Sequence, residues 1–125
     1  MRMPDVLVVK DRVAARAPVE SLRLPWTFGI AVTLRQLIAE RVRLEMETRH
    51  DSLLAARGPR QSVAASVQPG EADIAAATAA AFASFARNGF FVVIDGAQVP
   101  DLDVEIPLTP ASDVVFVRLT QLVGG

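Results

Sequence analysis

The sequence predicts an α+β fold, one mixed sheet with its helices gathered on one face. Three observations carry that expectation. Apolar runs of strand length stand near both ends, at Val6 to Val9 and Val114 to Leu119. A segment of helical period opens at Thr33, and the turn dipeptide Asp95-Gly96 separates two short β-prone runs. With 125 residues, 51% of them hydrophobic, the chain suits a single domain with a real core.

The elements follow in order. Val6 to Val9 is an unbroken apolar run, which predicts a central strand covered on both faces. Leu22, Leu24 and Trp26 recur at period two, so a second strand follows, and the short link makes the pair an antiparallel hairpin. Trp26 and Phe28 are expected at the core or its edge. Thr33 can cap the free N–H groups of a helix, with Gln36 completing a capping box. Leu34, Leu37, Ile38, Val42 and Met46 then form a buried stripe, leaving Arg35, Glu40, Arg43 and Glu47 in water.

From about His50 to Gly70 the period lapses, and residues 50–70 read as a flexible loop. Its length marks an insertion into a smaller fold. Glu71 to Arg87 is a second helix, with acids at its positive end and Arg87 at its negative end. Its inner stripe is Ile74, Ala77, Thr78, Ala81, Phe82 and Phe85, and Asn88-Gly89 supplies the left-handed residue that ends it. Phe90 to Ile94 is a third strand, returned through Asp95-Gly96 into Ala97 to Val99. Pro100, Pro107 and Pro110 make Leu102 to Leu108 an irregular edge. The last strand, Val114 to Leu119, matches the first in apolar character, which places the two side by side in mid-sheet.

Composition narrows the function. Thirteen Lys and Arg against fourteen acids give no field favouring nucleic acid or an anionic membrane. The absence of cysteine removes disulfides, thiolate metal sites and a thiol nucleophile, and fits the cytoplasm. "MRMPDVLVV" does not read as a secretory signal, and Ile74 to Ala86 is shorter than the ~20 residues of a membrane span. An enzyme would need a base, a nucleophile or a phosphate loop, and one histidine with no glycine-rich loop offers none. No cofactor and no metal are expected. His50 reads as an exposed polar residue. Asp95, Asp101, Asp103 and Glu105 read as a solvated acidic rim rather than a calcium site, their spacing not being that of an EF-hand. The alanine-rich second helix is expected to pack on its own domain, with a weak homodimer as the other reading.

The order of elements, joined to the ending "FVVIDGAQVPDLDVEIPLTPASDVVFVRLTQLVGG" (residues 91–125), resembles the ubiquitin-like β-grasp family. The "DG" hairpin, the "LTPASDVVF" approach to the last strand and Gly124-Gly125 carry the likeness. "VTLRQLIAERVRLEM", Val32 to Met46, resembles the helix that crosses the sheet in that fold. The stretch also resembles the sulfur carriers of molybdopterin and thiamine synthesis. Residues 50–87 have no counterpart in minimal members.

The resemblance implies a chain that is substrate, not enzyme. Gly125 would donate the acyl group after adenylation, and Gly124 would give clearance inside the activating enzyme, because glycine has no Cβ to obstruct a close approach. Arg118, Leu119, Gln121, Leu122 and Val123 would be the segment that enzyme grips. A sequence ending at Gly125 is expected to need no trimming. The partners implied are activating and conjugating enzymes, a deconjugating protease and target proteins, and bacterial antiviral defence is one setting for such systems. The alternatives are a sulfur carrier with a C-terminal thiocarboxylate and a non-conjugating interaction module. Lys10 is the sole lysine, so it is the one side-chain acceptor for polymers, and single conjugation is expected.

Overall fold

The computed structural model describes residues 5–57 and 70–118. β1 (Val6–Val13) and β2 (Val19–Pro25) form an antiparallel hairpin, and β3 (Val32–Thr33) leads into α1 (Leu34–Arg57). Helix α2 (Glu71–Ala86) precedes β4 (Phe90–Ile94), β5 (Ala97–Gln98), β6 (Glu105–Ile106) and β7 (Val114–Arg118). The main sheet runs β2-β1-β7-β4-β5, and β3 pairs with β6 in a separate two-stranded sheet. β1 and β7 are parallel neighbours while every other pair is antiparallel. This α+β architecture is the β-grasp arrangement expected from the sequence.

Local chemistry accounts for the elements. The Thr33 backbone N–H donates to Gln36 Oε1 at 2.9 Å and the Gln36 N–H donates to Thr33 Oγ1 at 3.3 Å, the reciprocal box that starts α1. Asp95 and Gly96 sit at φ 51 and 84, the pair of positive values that a tight hairpin between twisted strands requires. Asn88 ends α2 at φ 62. Gly89 is needed for a different reason: a Cβ there would stand 2.2 Å from Ser84 Oγ and 3.1 Å from the Ser84 carbonyl oxygen.

The core lies between the sheet and the helices. Leu7, Val9, Leu24, Leu34, Leu37, Ile38, Val92 and Val114 are almost wholly removed from water. Each such side chain contributes roughly 1.5–3 kcal/mol through burial. Trp26 and Phe28 pack half-buried at its edge, and Phe82 and Phe85 of α2 reach it from the other side.

Three expectations need correction. Helix α1 continues to Arg57 instead of giving way to a loop near His50, because Leu53, Leu54, Ala55, Ala56 and Arg57 are strong helix formers despite their poor amphipathic period. The rest of the expected loop falls outside the described residues. β1 is not covered on both faces: Leu7 and Val9 are buried, but Val6 and Val8 are half-exposed, since both helices occupy the Leu7 side. Its unbroken apolar run comes from sitting beside β7, which is buried along Val114 to Val117. The edge around Leu102 to Leu108 is also more regular than its prolines suggest, for Glu105 and Ile106 pair with Thr33 and Val32.

Candidate functional site

Of the residues assigned to the reactive end, Arg118 is described, whereas Leu119, Gln121, Leu122, Val123, Gly124 and Gly125 fall outside the described residues. The site can therefore be built up to the point where the chain leaves the sheet. β7 is the middle strand, parallel to β1 and antiparallel to β4, with Arg118 opposite Val13 and Phe90. The Arg118 carbonyl oxygen accepts a 2.7 Å hydrogen bond from the Ala14 N–H. Ala14 holds φ 51 in the turn after β1, so the β1–β2 link is shaped to clamp the end of β7.

Beneath that exit is a platform that sequence reasoning missed. Arg41 of α1 is only 7% exposed in its side chain, and its two terminal nitrogens donate to Asp11 Oδ1 and Oδ2 at 2.5 and 2.8 Å. Its Nε donates to Glu45 Oε1 at 2.9 Å. The guanidinium lies 4.5 Å above the centre of the Phe116 ring, and Phe116 stacks on Phe90 at 5.8 Å. Phe85 of α2 meets Phe90 edge-on at 5.7 Å. One buried cation thus ties α1 to β1 and, through the aromatic chain, to β7, β4 and α2.

The electrostatics follow from this geometry. Burial alone would raise the Asp11 carboxyl, but the hydrogen bonds and charge of Arg41, helped by the charge of Arg118, leave it below its ordinary value. Burial would likewise lower Arg41, and Asp11 with Glu45 more than compensate. A cavity of about 80 Å³ adjoins the platform, walled by Ile38, Val42, Phe90 and Phe116 with Arg41 and Arg118 at its polar side. Two cations and two carboxylates balance there, so the arrangement fixes the strand end without favouring a charged ligand.

The signal for Arg41 was present in the sequence. Position 41 continues the buried row Leu34, Leu37, Ile38 at helical spacing, and Asp11 continues the inward row Leu7, Val9 at period two. A charged residue on each of two inward rows implies that they meet.

Lys10 lies on the face of the sheet opposite the helices, half-exposed, with its Nζ 3.0 Å from Asp113 Oδ1. It is far along β1 from neither strand end, opposite Val115 of β7. Three of the four carboxylates of the acidic rim have separate work. Asp95 accepts from the Asp113 N–H, Asp101 accepts from the Asp103 N–H, and Asp103 grips Arg35 with both oxygens. Among the described residues no group of three or more His, Cys, Asp or Glu could hold a metal ion. No helix among them is long and apolar enough to cross a membrane.

Comparison with known proteins finds no matching family model, no matching curated protein and no matching solved structure.

Proposed function

We propose that the chain is a ubiquitin-like protein modifier, joined to target proteins through the carboxyl group of Gly125. The observation that carries this reading is the position of β7: it is the central, doubly flanked strand of a β-grasp sheet, and Gly124-Gly125 follows it in the sequence after five residues. A strand anchored on both sides gives the following segment a fixed point of departure. Glycines at its end then present a carbonyl carbon with no Cβ beside it. The inserted helix α2, packed against α1 with Arg43 bound to Glu71 at 3.0 Å, adds bulk beyond a minimal carrier and favours the modifier over sulfur transfer.

The chemistry balances without any catalytic group from this chain. The Gly125 carboxylate attacks the α-phosphorus of ATP, giving an acyl-adenylate and pyrophosphate. A cysteine thiolate of the activating enzyme displaces AMP, and a target amine then attacks the thioester, forming an amide and releasing the thiol. The Lys10 ammonium, half-exposed beside Asp113, is the side-chain amine at which a second copy could be added.

The test is incubation of a chain ending at Gly125 with ATP, an adenylating enzyme and cell extract, read by intact mass. A protein adduct that is lost on Gly125→Ala substitution supports the modifier. A sulfur-for-oxygen mass gain assigns the chain to sulfur transfer instead. Full activity of a chain with a blocked C-terminus overturns both.

A further inference from the structure

The end of the sheet opposite Arg118 carries an apolar surface, at the margin of the core, that the proposed acyl transfer does not use. Ile30, in the loop after β2, is 63% exposed, a large apolar side chain held out between two grooves. One groove, of about 400 Å³, is lined by Ile30, Trp26, Val32, Ala39, Gln36 and Glu40. The other, of about 460 Å³, is lined by Ile30, Ala31, Ile106, Pro107, Leu108 and Glu105. Gly29, at φ 90, gives the loop the left-handed turn that sets Ile30 outward.

Charge selects the occupant. The ionisable side chains lining the two grooves are both carboxylates, Glu40 and Glu105, and both are exposed. The neighbouring cations are already engaged: Arg35 is bound by Asp103 and Arg43 by Glu71. An apolar knob between grooves with an acidic rim on each side complements an apolar side chain flanked by positive charge. We infer that this end of the molecule is a docking surface for an extended or helical peptide segment presenting a large apolar side chain next to lysine or arginine.

Its position makes it usable at the same time as the other end. Val6 pairs with Pro25 and Val13 pairs with Arg118, so the Ile30 loop and the exit of β7 stand at opposite ends of β1. At about 3.3 Å per residue those ends are roughly 23 Å apart. A partner here leaves the exit of β7 at Arg118 uncovered.

The experiment needs no activating enzyme, so it fails or succeeds independently of the modifier reading. A random peptide library displayed on phage is panned against the whole chain, and a selected peptide is synthesised. Its binding is followed by the fluorescence of Trp26, the sole tryptophan, which lines one groove. The expected result is selection of peptides combining a large apolar residue with Lys or Arg, and a shift in Trp26 emission on binding. Affinity should fall at least about tenfold in Ile30→Asp, and several-fold in Glu40→Gln/Glu105→Gln or in high salt. Ile30 is exposed, so Ile30→Asp retains the fold, checked by its circular dichroism. Selection of acidic or uncharged peptides, or binding indifferent to Ile30→Asp, overturns the inference. So does concentration-dependent self-association abolished by Ile30→Asp, which would give the face to a second copy.

Discussion

Replacing Arg41 by Met tests the platform directly. Met keeps much of the apolar stem and can lie on Phe116, but it deletes three charge-assisted hydrogen bonds, two to Asp11 and one to Glu45. Removing one partner of a fully buried ion pair costs about 3–5 kcal/mol because the other charge is stranded. Here the stranded carboxylates are not fully buried: Asp11 is 35% and Glu45 37% exposed, so water recovers part of their solvation. Loss of the guanidinium–ring contact adds about 1 kcal/mol, and retained methionine packing returns a similar amount. The expected loss is therefore about 2 kcal/mol at neutral pH, a fall of roughly 6–10 °C in Tm for a domain of this size. The acid side supplies a second check. The folded Asp11 carboxyl lies below its ordinary value of 3.8, so its contribution is complete above 3.8 and disappears as pH falls through the lower folded value. Urea titrations should show the gap between the native chain and Arg41→Met narrowing below about pH 4. In a double-mutant cycle with Asp11→Asn, the two losses should overlap by about 1 kcal/mol or more. A variant as stable as the native chain at pH 7, or a gap that widens with acid, would refute the account.

Other substitutions probe the elements that hold the sheet and helices in place. Gly89→Ala should lose about 1–3 kcal/mol, since its methyl meets Ser84 Oγ at 2.2 Å and the Ser84 carbonyl oxygen at 3.1 Å. Adding Ser84→Ala should recover part of that loss in thermal denaturation but not all, because the carbonyl remains. Thr33→Ala removes one arm of the capping box and should cost about 1 kcal/mol by the same measurement. Asp103→Asn breaks a bidentate pair with Arg35 that stands in water, so the urea midpoint should barely move, and less still in salt.

The sequence made the two hairpins and the mid-sheet adjacency of the end strands legible because period, length and turn residues spoke together. The two apolar end strands, the capping box at Thr33 and the Asp95-Gly96 turn each allow few local structures. The same rules failed where a residue obeyed the geometry of its element but not the chemistry of its surroundings. Arg41 and Asp11 occupy inward positions by spacing, but each row was read alone, and only their joint charge shows that the two rows meet. The end of α1 was misplaced for a related reason. Leu53 to Arg57 favours a helix by propensity, but without an apolar stripe the period gives no sign of it. β3 and β6 were missed because two-residue strands have no period to read, and their pairing depends on bringing Val32 and Ile106 together across the chain.

The direction of β7 connects these features to function. A parallel strand in mid-sheet has its carboxyl end at the same edge as the end of β1, and the link from β1 to β2 must turn there. That coincidence lets the Ala14 N–H close on the Arg118 carbonyl oxygen, and it places Asp11 within reach of an arginine on α1. The strand end at Arg118 is held from the sheet and from the helix layer together. The loop carrying Ile30 belongs to the opposite edge, where β2 ends and α1 begins, and shares none of those contacts. One fold therefore gives two surfaces whose energetics are separable. Arg41→Met should lower stability without altering peptide binding at Ile30, and Ile30→Asp should abolish that binding while leaving the urea midpoint within about 0.5 kcal/mol of the native chain, as expected for an exposed site.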